Sequence, residues 1–185
     1  MNSIPKLGRC IVPLFLFCIL LFAPGCFPSS LQITKNGTSS YAIVFPAKAN
    51  TTTQHAAREL SHYLEEISGV KIPVLPVDKQ EPGRNAIFVG MEAGTSPGSP
   101  HTIAYEAVGS DLYIWGGNPQ STLYAVYRFL EKELGCMWLS PEAEKIPVAR
   151  SIKLKQGVSY SYTPQIETRT VHSRLFYENH GFADK

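Results

Sequence analysis

Two adjacent glycines, Gly116-Gly117, stand between an extended run and a helical one. In that position, backbone N–H groups at a helix N-terminus can cradle phosphate. The third spaced glycine of the dinucleotide pattern is missing and no Walker lysine follows, so a tight strand-to-helix turn accounts for the pair better. His55 and His62 fall two turns apart on one predicted helix, too far for the i, i+4 pair that grips zinc, and neither has a cysteine nearby. They read as solvated or interfacial histidines. His101, His172 and His180 lie in loop-like or terminal contexts and form no set. Glu65-Glu66, Glu131 and Glu133 belong to polar helix faces, where acids beside basic residues are ordinary solvated charges. Glycoside hydrolysis instead needs two carboxylates facing a sugar across roughly 5 to 10 Å on rigid strand ends or loops. No GxSxG turn is present to carry a nucleophilic triad. No residue of this chain is therefore assigned a catalytic, metal-binding or cofactor-binding role, and no cofactor is expected.

Aromatic side chains are the other group that could do chemistry, by stacking on sugar rings. Tyr124, Tyr127 and Phe129 are expected in the core, whereas Trp115 and Trp138 lie beside turns and are the candidates for contact with a sugar or a neighbouring domain.

The elements that must position these residues can be read from periodicity and turn chemistry. The first strand signal follows Asn36-Gly37: Tyr41 to Phe45 reads as a largely buried strand, and Pro46 closes it. Asn50 or Thr51 caps a helix over Thr53 to Ser68, with Ala56, Leu60, Tyr63, Leu64 and Ile67 on one stripe and Gly69 as its stop. Ile72 to Val77 is a short strand that Pro73 and Pro76 push toward a sheet edge. Ala86 to Gly90 follows, completing a βαβ unit. Thr102 to Val108 and Leu112 to Trp115 flank Gly109-Ser110-Asp111 as a hairpin. Ser121 to Leu134 is a second amphipathic helix stopped by Gly135, and Met137 to Leu139 is extended. Ser151 to Leu154 and Gly157 to Tyr162 read as strand pieces on a connecting arm, and Ile166 to Leu175 is rich in β-formers. The fold class expected is α/β: a small mixed sheet with a βαβ unit, a hairpin and two main helices packed on it, preceded by a signal peptide.

That signal occupies residues 1–26. Lys6 and Arg9 precede the apolar run Ile11 to Phe22. A run of about 12 residues is short of the roughly 20 that span a bilayer, so a signal peptide is favoured over a permanent anchor. Ala23-Pro24-Gly25-Cys26 resembles the lipobox of bacterial lipoproteins, with Ala23 where leucine is usual. Lipidation of Cys26, which would tether the protein to a membrane, and plain cleavage nearby both stay open. The expected location is the cell envelope in the first case, and the periplasm or exterior in the second. The chain has 17 basic and 15 acidic residues, and Lys6 and Arg9 account for the excess of two. The remainder is formally neutral and without basic runs, so no electrostatic footprint for nucleic acid exists. Cys10, Cys18 and Cys26 belong to the leader, leaving Cys136 alone in the folded part, where no disulfide framework can form.

Ile33-Thr34-Lys35-Asn36-Gly37, Ala57-Arg58-Glu59-Leu60 with Tyr63-Leu64, Ile87-Phe88-Val89-Gly90, Asp111-Leu112-Tyr113-Ile114 and above all the run from Gly116 to Pro147 share one pattern. It resembles the N-terminal domain of family 67 α-glucuronidases and related bacterial polysaccharide-degrading proteins, over about residues 31–170. The resemblance implies an α/β domain over 27–163 packed against a (β/α)8 barrel that carries the catalytic carboxylates and begins at 164–185. Arg169 matches the family's entry into the first barrel strand. Relatives have arginine near Gln120 and in place of Met137, so contacts made by those arginines are not carried over. The partners implied are the downstream barrel and polysaccharide. A stand-alone carbohydrate-binding or scaffold module of the cell envelope is the alternative.

Overall fold

A computed structural model describes residues 30–94, 98–140 and 142–165. The leader with Cys26, the segment 166–175 and Arg169 lie outside these residues.

The chain is an α/β domain with both helices on one face of a mixed sheet. β1 (Ser30–Thr34) is followed by β2 (Ala42–Phe45), α1 (Thr51–Ser68), β3 (Val74–Pro76) and β4 (Ala86–Val89). Next come β5 (Ile103–Val108), β6 (Asp111–Gly116) and α2 (Pro119–Leu134), then β7 (Met137–Ser140), β8 (Ala143–Lys145), β9 (Ile152–Lys155) and β10 (Ser159–Tyr162). The principal sheet has six strands in the order β10-β5-β6-β4-β2-β3. β2 pairs in parallel with both β3 and β4, and β4 with β6. β5 returns antiparallel to β6 through the two-residue turn Gly109-Ser110, with Gly109 at φ +63°. β3, with its Pro76, occupies the edge, where a missing ladder donor is tolerated.

Local chemistry fixes the helix ends. Asn50 accepts from the Thr53 N–H at 2.9 Å and Asn118 from the Ser121 N–H at 2.7 Å, so each helix starts on an asparagine cap. Pro119 follows directly, where its missing N–H costs nothing. Gly135 closes α2 at φ +77°, and the Cys136 N–H reaches back to the Leu130 carbonyl. With the Gly135 N–H on the Glu131 carbonyl four residues back, this is a left-handed αL stop.

Alternation along the strands separates two faces. Ile43, Ile87, Tyr105, Leu112 and Ile114 point to the helices and form one buried core with Leu60 and Leu64 of α1 and Val126, Phe129 and Leu130 of α2. Ala42, Val44 and Ala86 point the other way, under Leu75, Val77 and Phe88.

Three features depart from expectation. A strand, β1, precedes Asn36-Gly37, and its Leu31 and Ile33 enter the helix-side core. The strand pieces expected after Pro147 are present but do not form a connecting arm: β9 pairs antiparallel with β1, and β10 is the edge strand beside β5. β7 has a partner, β8, which a three-residue stretch of exposed Ala143-Glu144-Lys145 did not announce. The common reason is that each pairing is set by a distant or turn-linked partner rather than by local periodicity.

Candidate functional site

The two tryptophans lie on opposite sides of the molecule. Trp138, on β7, turns toward the helices and meets Tyr63 of α1 and Tyr127 of α2 edge-to-face, at centroid distances of 5.3 and 5.0 Å. Its Nε1–H donates to the Tyr63 hydroxyl at 2.8 Å, and that hydroxyl donates to Glu144 of β8 at 2.9 Å. Tyr127 donates to Glu59 at 2.6 Å, and burial together with this carboxylate pushes its phenol pKa up. The hairpin is thereby locked onto the groove between the helices. Because strand residues alternate, Met137 and Leu139 face outward, 46 % and 65 % exposed.

Trp115, on β6, faces away from the helices and is 5 % exposed. It lines a groove of about 410 Å³ over β5 and β10, with Thr102, Glu106, Ser159, Ser161 and Thr163. Thr102 and Thr163 hydrogen-bond to each other at 2.8 Å. The Trp115 Nε1–H is the buried side-chain donor that finds no acceptor among the described residues. Further along the same face, Phe88 and Tyr113 stack at 4.7 Å.

The other sequence candidates sort as follows. A Cβ on Gly116 would run into the backbone of Ser121, and one on Gly117 into the Ser99 carbonyl. The Gly116 N–H goes to Thr122 Oγ1 and the Gly117 N–H to the Thr102 carbonyl. The glycines thus serve close packing at the start of α2, as the strand-to-helix turn requires. Among the described residues no three His, Cys, Asp or Glu side chains cluster as a metal site. His62 is exposed beside Tyr63, and His55 is half-buried on α1; His172 and His180 lie outside the described residues. Glu131 is a surface partner of Arg128. Glu133 is not merely solvated: it is half-buried and accepts from Tyr105, whose pKa is raised by burial and by this acid. Tyr124, expected in the core, is 49 % exposed, whereas Trp115 is 5 % exposed although it faces away from the helices.

Sequence reasoning missed the tyrosine–glutamate ties and the groove. The groove had one signal: Ser159 and Ser161 alternate at period two and fall opposite Glu106 and Ala104, but only β-pairing brings them together.

No family model and no curated protein matches the chain. Among solved structures, it is similar to the Streptomyces plicatus N-acetyl-beta-hexosaminidase in complex with Thio-NAglucal, at 14 % identity and a TM-score of 0.46, covering 75 % of this chain and 24 % of that one. It is also similar to the Flavobacterium johnsoniae chitobiase, at 11 % identity and TM-score 0.44, covering 74 % and 19 %. A GH138 enzyme targeting pectin rhamnogalacturonan II aligns over 50 % of this chain and 13 % of that one, at 14 % identity and TM-score 0.37. The chain spans about a quarter of the length of the first of these. All three are glycoside hydrolases, and the likeness to family 67 rests on sequence pattern alone.

Proposed function

We propose that this chain is the non-catalytic N-terminal domain of an exported glycoside hydrolase of the α-glucuronidase type, supporting a downstream barrel that degrades xylan or a related polysaccharide. The observation that carries this reading is the outward face of the β7–β8 hairpin. Trp138 and Glu144 anchor the hairpin to both helices, which leaves Met137 and Leu139 projecting from a rigid support. Large apolar side chains held outward on an immobilised strand favour burial against another domain. The hairpin also lies within the run from Gly116 to Pro147 that resembles the family most closely. In this reading Arg169 opens the first barrel strand, and the leader exports the protein with or without a lipid on Cys26.

The test is to express the complete coding sequence that contains this chain. A barrel with paired carboxylates at strand ends, active on glucuronoxylan, is the expected result. Met137→Glu with Leu139→Glu should then lower the melting temperature of the barrel without altering its catalytic residues. A translation stop directly after Lys185 would exclude the reading and favour a stand-alone module of the cell envelope.

A further inference from the structure

We propose that the groove over β5 and β10 is a binding site for a neutral sugar, with Trp115 forming its wall. At about 410 Å³ the groove falls in the size range of small-molecule sites, which is roughly 300 to 1,000 Å³. Its floor is small, because Ala104 and Ser161 lie opposite each other across the β5–β10 ladder. Its polar groups are hydroxyls from Thr102, Ser159, Ser161 and Thr163 and one carboxylate, Glu106. Ser159 pairs with Glu106 in register. Alternation puts the side chains of Glu106, Ser159 and Ser161 on the groove side, and none of them is hydrogen-bonded among the described residues.

The Trp115 N–H supplies the second, independent observation. A buried donor without an acceptor costs about 1–3 kcal/mol, and native folds rarely keep one without a reason. The indole forms part of the groove lining, and a sugar oxygen reaches this donor, which is closed to solvent, only if the lining parts to admit it. An aromatic wall, several hydroxyls and an unspent carboxylate match a ring that carries many hydroxyl groups on an apolar face. No Lys or Arg lines the groove among the described residues. A uronic acid would therefore meet Glu106 with no cation to offset the like charge, and the site selects neutral sugars. The groove lies on the sheet face opposite the helices and hairpin, so its occupancy is independent of whether a barrel docks on the hairpin.

The chain has two tryptophans, which makes the site directly observable. The indole N–H signals of the full chain can be followed by NMR during titration with xylotriose, cellotriose and trigalacturonate, with Trp138→Phe assigning the Trp115 signal. One of the neutral trisaccharides is expected to move that signal with a Kd of about 1 mM. Trigalacturonate should bind at least roughly tenfold more weakly, and Glu106→Gln should narrow that gap. Trp115→Phe keeps a ring but removes both the donor and the indole reporter; followed instead by the backbone amide signals of β5 and β10, it should weaken neutral binding about fivefold. Ser161→Arg, at an exposed position tolerant of change, should weaken neutral binding and raise affinity for trigalacturonate. The proposal is overturned if no neutral probe shifts the Trp115 signal by about 20 mM, or if trigalacturonate binds as tightly as the neutral probes. It is equally overturned if Ser161→Arg leaves both affinities unchanged.

Discussion

Trp138 and Trp115 are the same residue type with opposite circumstances: one indole N–H is bonded to Tyr63, and the other has no acceptor among the described residues. Sequence position alone, beside a turn in each case, does not distinguish them, because the difference comes from which sheet face each side chain joins. The glycines are the contrary case, in which local sequence was enough. Gly116 has no room for a Cβ beside the Ser121 backbone, and backbone cannot move aside as a flexible side chain can. Gly116→Ala should therefore lower the melting temperature by roughly 4–8 °C, through a steric cost of about 2 kcal/mol. Gly98→Ala, with no atom within 4 Å of the added carbon, should leave it within about 1 °C. Equal effects in thermal melts followed by circular dichroism would show that the turn at α2 is not set by this contact.

At the scale of elements, the helices were legible because their signals are local: an asparagine cap, a stripe at steps of three and four, and a left-handed glycine stop. The hairpin of β5 and β6 was legible for the same reason, through Gly109. β1 and β8 were not, since one finds its partner β9 more than a hundred residues away and the other is a polar ribbon strand without periodicity. β7 shows what alternation does to neighbours in sequence. Leu139→Glu changes an outward position and should alter the stability of this chain by no more than about 0.5 kcal/mol. Trp138→Ala removes the edge-to-face contacts with two tyrosines and the indole hydrogen bond to Tyr63, at a cost of about 3 kcal/mol. Urea titration of both variants separates them, and a large loss from Leu139→Glu would mean that the hairpin is anchored through its other face.

Over the whole molecule, proton linkage acts in one direction. Burial pushes the Cys136 thiol up to about 11 and the Tyr41 phenol up to about 12, and it raises Tyr105, Tyr113 and Tyr127 as well. Each group has a higher pKa folded than unfolded, so the folded state holds its protons longer. The stability this contributes is complete below the unfolded values, about 9 for the thiol and 10 for the phenols, and is lost as pH rises through the folded ones. The melting temperature should be level with respect to these groups up to about pH 9 and fall from there toward pH 12. Tyrosinate absorbance should show a late-titrating class that ionises with unfolding. A melting temperature unchanged at pH 11 would contradict the buried positions of these side chains. Fold class and helix layer could be anticipated from patterning. The groove could not, because its walls come from three strands whose adjacency is a property of the complete sheet.

The pairing of β1 with β9 has a consequence for the order in which the structure can be completed. A chain that emerges N-terminus first, as from a ribosome or a membrane pore, presents Leu31 and Ile33 at the outset, yet the strand opposite them comes at Ile152–Lys155. Until about 120 further residues have followed, that apolar segment is an open strand edge and a ready target for mispairing. β5 likewise waits for β10 to cover its outer edge. Closure of this pair therefore waits until β9 has emerged. A holding factor that binds the first strand during passage would protect the protein at the step where its own architecture offers no partner.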